Sequence, residues 1–305
     1  MGNRDTTFRG KNVVITGGSS GIGKATAKLL SGEGANVFLV ARDERKLARA
    51  LEDVKAQGIG LGQRNGAFSA DVVKYQLVED AIAAIKEVGG ACDILINCAG
   101  IAHPGYFEEL PLSTFREQMD VNYFGTLHTL RAVLPDMIAQ GDGHIVNISS
   151  MAGVIGGFGY TAYAASKFAV FGFTEALRAE MKPRGIGVSL VLPPDTDTPQ
   201  LRQERELQPL ELKIITGAVK PRKLNRLSEF IAYWLAKWLL TDDGQPMSPD
   251  RVAAAIVRGI RRGDYVIIPD ATLKLAYYLR GFMVPLGNWI QDRLVTVARR
   301  DRGVL

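Results

Sequence analysis

Short apolar runs alternate along the chain with longer segments in which apolar residues recur every three to four positions. The first pattern is typical of buried strands and the second of amphipathic helices. The pattern predicts strands over residues 12–16, 36–41, 67–70, 93–97, 145–149, 187–192 and 265–269. It predicts helices over residues 21–32, 44–57, 113–138, 162–181 and 249–262, and one more that ends at residue 88.

Strands that are apolar throughout, each followed by a helix, favour a parallel sheet covered on both faces. The chain is therefore predicted to be an α/β protein with a doubly wound parallel sheet. No Pro/Ser/Gly-rich linker divides residues 1–200. After residue 198 the pattern changes to an expected substrate loop and insertion at about 199–248, and residues 271–305 are expected to form an apolar, basic helical extension.

Composition narrows the class of protein. The chain has 305 residues, of which 47% are hydrophobic and 23% charged, so disordered and collagenous chains are excluded. The two cysteines, Cys92 and Cys98, exclude a disulfide scaffold. The net charge of +5 indicates a solvated surface with a few extra lysines and arginines; attraction to an anionic lipid or cofactor is the alternative, and no nucleic-acid motif is present. Without a signal peptide or an uncharged apolar stretch of about 20 residues, a cytoplasmic chain is expected.

A glycine-rich loop, TGGSSGIG, lies between the first strand and the first helix at residues 16–23. Glycines there permit a tight turn and a close approach of the backbone to a pyrophosphate, while the helix N-terminus offers N–H groups to its phosphates. A plain strand-to-helix turn is the alternative. The cofactor-binding residues predicted in this loop are Gly17, Ser19, Ser20, Gly21, Ile22 and Gly23.

The end of the second strand indicates which dinucleotide would bind. An acidic residue at this place binds the ribose 2′-hydroxyl of NAD, whereas an arginine accommodates the 2′-phosphate of NADP. Here Ala41 is followed by Arg42, and the first carboxylate is Asp43. Arg42, Lys46 and the Ser19 hydroxyl could hold the phosphate, which predicts NADP(H); a solvated Arg42 is the alternative.

Ser150 ends the fifth predicted strand, and Tyr163 and Lys167 follow one helical turn apart. A lysine ammonium lowers the pKa of a nearby phenol, and a serine hydroxyl can hold a carbonyl oxygen against it. The three residue types therefore suit protonation of a carbonyl oxygen while hydride arrives at carbon. Tyr160 is not expected to be the proton donor, because position 164 is alanine.

Together these motifs, over residues 11–198, resemble the short-chain dehydrogenase/reductase family. The resemblance implies a single Rossmann-type reductase domain over about residues 1–270. It implies that Tyr163 donates the proton, that Lys167 tunes it and binds the nicotinamide ribose, that Ser150 orients the carbonyl, and that Asn122 holds a water. It also implies cofactor contacts from Asp71, Val72, Asn97, Ala99, Gly100, Tyr163, Lys167, Pro193, Thr196 and Thr198, and no metal.

A narrower resemblance, to the 3-ketodihydrosphingosine reductases, rests on residues 16–24, 158–167 and 192–199 and on Arg42-x-x-x-Lys46. It implies NADPH-dependent reduction of a long-chain lipid ketone at the cytosolic face of a membrane. Residues 220–244 look like an insertion relative to that group. The alternatives are a reductase of another apolar ketone or alcohol, such as a steroid, retinoid or 3-oxoacyl thioester, and a non-catalytic nucleotide-binding module.

The C-terminal third combines basic residues with aromatic and apolar ones. A basic cluster at 220–226 precedes an apolar segment at 230–240 that contains Trp234 and Trp238, and a second apolar segment covers 273–290. Such segments suit helices that lie in the membrane interface. The alternatives are a core or lid helix and a contact in a homo-oligomer, which is also expected.

Overall fold

The computed structural model describes residues 8–60, 62–216, 219–221, 224, 226–232 and 245–301. Its seven strands form one sheet in the order β3-β2-β1-β4-β5-β6-β7, and every neighbouring pair is parallel. The strands are β1 Asn12–Thr16, β2 Asn36–Ala41, β3 Gly66–Ser69, β4 Ile94–Asn97, β5 Gly143–Ile148, β6 Ile186–Val191 and β7 Val266–Ile267. The doubly wound parallel sheet predicted from the sequence is confirmed.

Helices cover both faces of the sheet. They are α1 Gly21–Gly32, α2 Glu44–Lys55, α3 Tyr75–Gly89, α4 Leu112–Met119, α5 Gly125–Gln140, α6 Thr161–Met181, α7 Pro199–Leu207, α8 Leu210–Ile215, α9 Pro249–Arg262, α10 Ala271–Tyr278 and α11 Arg280–Asp301. Val13 and Ile15 of β1 belong to the core that contains α1, α2 and α9, whereas Val14 belongs to the core that contains α3, α5 and α6. The strands are apolar throughout because each has a core on both sides.

The carboxyl ends of the central strands lie side by side. Thr16, the last residue of β1, pairs with Val40 on one side and with Asn97 on the other, and Asn97 pairs with Asn147. The strand order reverses between β1 and β4, and ligands of doubly wound sheets bind in the crevice at such a point. The loops after these strands therefore converge on one cleft.

The helix predicted over residues 113–138 is confirmed, because every residue from Leu112 to Gln140 is helical. The structure divides it into α4 and α5, with a π-helical turn at Asp120–Phe124 between them. In this turn the Asn122 carbonyl accepts a hydrogen bond from Thr126 Oγ1 at 2.8 Å. A π-turn is a single turn of i→i+5 hydrogen bonds inside an α-helix, so the residues on both sides of it stay helical, and such turns are frequent at functional sites.

The C-terminal helix α11 packs against the segment that follows the sixth strand. Its buried residues Ile290 and Leu294 form an apolar cluster with Ile215 of α8 and with Ala232. The predicted apolar segment at 230–240 is described only as far as residue 232, and Trp234 and Trp238 lie outside the described residues. Within the described chain, no helix is both long and apolar enough to cross a bilayer.

Truncation of Leu294 should destabilise the fold because its side chain is fully buried, at 0% exposure. We expect Leu294→Ala to lower the free energy of unfolding by about 2–5 kcal/mol. Leu275→Ala on α10, where the side chain is 60% exposed, is the matched control and should change it by less than about 0.5 kcal/mol. Urea denaturation measures both, and equal effects would contradict the docking of α11.

Candidate active site

A cleft of about 410 Å³ opens at the carboxyl edge of the sheet. Its walls are the loops after β1 to β6 and one side of α7. The residues proposed from the sequence that line it are Gly17, Ser19, Ser20, Gly21, Ile22, Arg42, Lys46, Asp71, Val72, Ala99, Gly100, Ser150, Tyr163, Lys167, Pro193, Thr196 and Thr198. Three others, Gly23, Asn97 and Asn122, lie behind this wall rather than on it.

The glycine-rich loop lies directly against the end of β4. Gly17 has φ +65°, and a Cβ there would come within 2.8 Å of the Ala99 backbone nitrogen. The Thr16 hydroxyl accepts hydrogen bonds from the backbone nitrogens of Cys98 and Ala99, at 3.1 and 3.2 Å. A side chain at position 17 would therefore be strained and would separate the two loops.

The N-terminus of α1 is free to bind an anion. Ser20 is the N-cap residue but makes no side-chain capping hydrogen bond, and the first turn holds no acidic residue. Gly23 lets the helix approach the loop, because a Cβ there would lie 2.6 Å from the Gly17 carbonyl oxygen. Unpaired N–H groups, a free hydroxyl and a backbone cradle fit the pyrophosphate of a dinucleotide.

Arg42 and Lys46 lie at the end of the cleft beyond β2. Asp43, between them, directs its carboxylate to the backbone of α2, where it accepts a hydrogen bond from the Lys46 nitrogen at 3.0 Å. That bond is the N-cap of α2 and engages one carboxylate oxygen, while the other oxygen lies 3.9 Å from Lys46 Nζ and the residue lines the cleft. The guanidinium of Arg42 is exposed and has no ion pair among the described residues.

Asn97 belongs to a buried polar network at the ends of β4 and β5. Its amide nitrogen donates to Asn147 Oδ1 at 2.9 Å, and its Oδ1 accepts from Thr129 Oγ1 at 2.5 Å. Asn147 in turn donates to Thr174 Oγ1 at 3.0 Å. The side chain of Asn97 therefore supports the strand ends under the cleft.

Ser150, Tyr163 and Lys167 meet at the inner end of the cleft. Tyr163 and Lys167 occupy consecutive turns of α6, and Lys167 Nζ lies 5.8 Å from the centre of the phenol ring. The same ammonium donates to the Ile148 carbonyl at 3.0 Å. The Ser150 hydroxyl makes a hydrogen bond with the phenol and accepts another from the Ala152 nitrogen at 3.1 Å.

Burial controls the charge of these groups. It lowers the pKa of Lys167 to about 8, because the ammonium loses contact with water. Burial, and secondarily the negative charge of Glu204, raise the pKa of Tyr163, while the hydrogen bond with Ser150 opposes the rise. The phenol is thus protonated at neutral pH and can act as a proton donor.

Asn122 lies in the π-helical turn behind the catalytic group. Its amide oxygen accepts from the Ile101 nitrogen at 2.8 Å, and its amide nitrogen donates to the Ile101 carbonyl at 2.9 Å and to Ser166 Oγ at 2.8 Å. Ser166 donates to the Tyr163 carbonyl at 2.7 Å. Asn122 therefore joins the loop after β4 to α6, and its expected role of holding a water stays a prediction.

Sequence reasoning missed two groups of residues at this site. Ser149 and Ser166 hold the α6 backbone, Ser149 through a 2.8 Å hydrogen bond to the Lys167 carbonyl. Glu204 and Gln200, four residues apart on α7, line the cleft beside the catalytic group. The sequence offered one signal for Glu204 and Gln200. They are spaced i, i+4 in a helix that begins with Thr-Pro.

Tyr160 also lines the cleft, although it lacks a lysine one turn later. Its hydroxyl donates to Glu204 Oε2 at 3.3 Å and accepts from Gln208 Nε2 at 3.1 Å. Its ring centre lies 5.8 Å from that of Tyr163. Among the described residues, no group of His, Cys, Asp and Glu could hold a metal ion.

The family model for short chain dehydrogenases matches residues 11–209, well over half of the chain. The chain therefore belongs to the short-chain dehydrogenase/reductase family and is an oxidoreductase. A crystal structure of a short chain dehydrogenase/reductase from Burkholderia phymatum in complex with NAD has a TM-score of 0.73 and 26% identity, and the match covers 92% of this chain and 96% of that one.

Several relatives carry a more particular name. A 3-dehydrosphinganine reductase of Danio rerio is 45% identical over 224 residues, which cover 72% of this chain and 68% of the relative. A 3-ketodihydrosphingosine reductase of Mus musculus is 44% identical, covering 70% and 66%. One of Dictyostelium discoideum is 38% identical over 312 residues, covering 98% and 86%. This chain thus spans about two thirds of the two vertebrate relatives and most of the third.

Removal of the Tyr163 hydroxyl should abolish most of the chemistry. We expect Tyr163→Phe to lower kcat by about 10² or more, because general acid catalysis contributes at least that much. Binding of the dinucleotide, followed by fluorescence titration, should change little. Tyr265→Phe, which removes another poorly solvated hydroxyl outside the cleft, is the control and should retain activity. Equal kcat values for the two variants would show that Tyr163 is not the donor.

Proposed function

We propose that this chain is an NADPH-dependent ketone reductase whose substrate is the 3-keto group of a long-chain sphingoid base, reduced from 3-ketodihydrosphingosine to dihydrosphingosine. The observation that carries the proposal is its 38–45% identity to reductases of that name, one of which aligns with 98% of the chain. The group formed by Ser150, Tyr163 and Lys167 supports carbonyl reduction as the reaction.

A nicotinamide dinucleotide bound in the cleft supplies the hydride to the carbonyl carbon. The Ser150 hydroxyl donates a hydrogen bond to the carbonyl oxygen and holds it beside the phenol. Tyr163 transfers its proton to that oxygen, so the carbonyl gains one hydride and one proton and becomes a secondary alcohol. The Lys167 ammonium stabilises the phenolate that remains.

The preference for NADPH follows from the end of the cleft beyond β2. Arg42 and Lys46 offer two cations there, and Ser19 offers a hydroxyl from the glycine-rich loop. The nearest carboxylate, Asp43, also lines the cleft, but one of its oxygens caps α2 and the other lies 3.9 Å from Lys46 Nζ. A 2′-phosphate would meet positive charge and a hydrogen-bond donor, whereas the carboxylate that a 2′-hydroxyl would need, Asp43, already caps α2 and lies against Lys46.

The substrate is tested by following NADPH oxidation by the purified chain with three ketones: 3-ketodihydrosphingosine, a 3-oxosteroid and a 3-oxoacyl thioester. We expect kcat/KM for the sphingoid ketone to exceed the other two by at least about tenfold. A preference for the steroid or the thioester would assign the chain to another apolar ketone. Tight NADPH binding with no turnover of any of them would favour a nucleotide-binding module.

Cofactor preference is tested by reversing the charge at Arg42. The unmodified chain should bind NADPH at least tenfold more tightly than NADH, which is about 1.4 kcal/mol. Arg42→Asp should reduce or reverse this ratio in a fluorescence titration. Arg45→Asp makes the same change in the first turn of α2, outside the cleft, and should leave the ratio nearly unchanged. Equal affinity of the unmodified chain for both cofactors would contradict the preference.

We also propose that the chain rests on the cytosolic surface of a membrane, where its substrate is dissolved. Leu275, Tyr278 and Leu279 at the end of α10 are 60%, 66% and 44% exposed, and the basic residues Lys274 and Arg280 flank them. Exposed apolar and aromatic side chains beside basic ones suit the headgroup region of an anionic bilayer. A contact in a homo-oligomer is the second candidate for this surface.

Co-sedimentation with liposomes tests the membrane proposal. The intact chain should bind vesicles, and more strongly when they contain anionic lipid, because each basic residue near the surface adds about 1 kcal/mol. Leu275→Glu should weaken binding. Leu77→Glu on α3, at another exposed leucine, is the control and should bind normally. If the intact chain stays in solution with every lipid mixture, the surface is instead an oligomer contact or serves another role.

A further inference from the structure

Glu204 presents a buried carboxylate to the cleft. The residue is only 7% exposed, yet it lines the cavity beside Tyr160 and Tyr163. Gln200 Nε2 donates to its Oε1 at 2.8 Å, and the Tyr160 hydroxyl donates to its Oε2 at 3.3 Å. Both oxygens therefore have a neutral donor, and neither forms an ion pair with a described residue.

Burial of the Glu204 carboxylate is unfavourable in free energy unless a cation binds to it. A carboxylate taken out of water loses its solvation, and neutral donors compensate only in part. Burial accordingly raises the pKa of Glu204. The cations Arg42 and Lys46 lie at the far end of the cleft, beyond β2. The Lys167 ammonium donates to the Ile148 carbonyl and attracts the carboxylate without forming an ion pair with it. The carboxylate is thus available to a positive charge on a ligand.

The carboxylate lies close to the reacting centre. The ring of Tyr160, which holds it, is 5.8 Å from the ring of Tyr163, the proton donor. Burial raises the pKa of Tyr163, and the negative charge of Glu204 adds to that rise. Burial lowers the pKa of Lys167, and Cys98 and then Glu204 oppose that fall. Tyr163 and Glu204 thus line the same cavity, where one ligand can contact both.

We propose that Glu204, positioned by Gln200 and Tyr160, binds the ammonium group on the carbon next to the keto carbon of the substrate. The cleft then selects amino ketones over neutral ketones of equal chain length. The inference rests on the proposed function, because a sphingoid ketone carries its amine at that carbon. It adds a specificity-determining residue that the family's Ser-Tyr-Lys group does not supply.

The subsite also explains the chain of donors behind Glu204. Gln208 donates to the Tyr160 hydroxyl at 3.1 Å, and Tyr160 donates to Glu204. A donor that itself accepts a hydrogen bond is polarised and binds a carboxylate more strongly. These two hydrogen bonds orient the carboxylate before a substrate binds, so little of the binding free energy is lost to ordering the Glu204 side chain.

Glu204→Gln tests the inference because it removes the charge and keeps the shape. Its matched control is Glu206→Gln, on the same helix but exposed and outside the cleft. Each variant is assayed with two substrates. One is 3-ketodihydrosphingosine, and the other is the same ketone with hydrogen in place of the 2-amino group. We expect Glu204→Gln to lower kcat/KM about 10- to 100-fold for the amino ketone and less than about threefold for the neutral ketone. Glu206→Gln should change neither.

Binding of the saturated amine product, dihydrosphingosine, gives a readout that does not require turnover. In calorimetry with the NADP-loaded protein, the unmodified chain should bind it at least about tenfold more tightly than Glu204→Gln. Equal binding, or equal loss of activity with both ketones, would overturn the ammonium subsite while leaving the reductase activity intact. If the unmodified chain reduces neither ketone but binds the amine through Glu204, the proposed reaction fails and the subsite stands.

Discussion

The site depends on one constraint: the amide groups at the ends of β4 and β5 are buried and must be hydrogen-bonded to one another. Asn97 and Asn147 are opposite each other in the sheet and are joined at 2.9 Å, with Thr129 and Thr174 completing the network. A slip of one register position would leave these groups unpaired in a low dielectric, which is expensive. The network therefore fixes where β4 and β5 end, and with them the loops that carry Gly100 and Ser150.

A second set of polar contacts fixes the position of α6, the helix that carries Tyr163 and Lys167, relative to the end of β4. Asn122 binds the backbone of Ile101, just beyond β4, and also Ser166, which binds the Tyr163 carbonyl. The π-helical turn is what brings the Asn122 amide to both partners. Proton donor and cofactor cleft are thus positioned by side chains that face away from the ligand. These supporting residues determine how precisely the phenol is held.

Much of the fold could be predicted from the sequence because the central strands are fully buried and the glycine loop lies at a defined place after β1. The π-helical turn between α4 and α5 could not, because the backbone stays helical through it and its five residues include neither glycine nor proline. Glu204 was missed for a different reason: its segment lacks a clean period, so only the packing of α7 over the cleft reveals the carboxylate. The cofactor contact that the family pattern implies for Asn97 stays a prediction, and its side chain is hydrogen-bonded to Asn147 below the cleft.

The attachment of α11 to the loop before the catalytic helix limits how the chain can be shortened. Gln291 accepts a hydrogen bond from the Phe158 nitrogen at 2.7 Å and donates to the Gly156 carbonyl at 3.3 Å. Arg300 binds the buried carboxylate of Glu229 at 3.0 Å. A chain cut before residue 280 to improve handling would uncover Ile215 and Ala232, leave Glu229 without this counter-ion and release the loop that leads to Tyr163. Deleting this helix would therefore change the geometry of the reaction, whatever the helix does at a membrane.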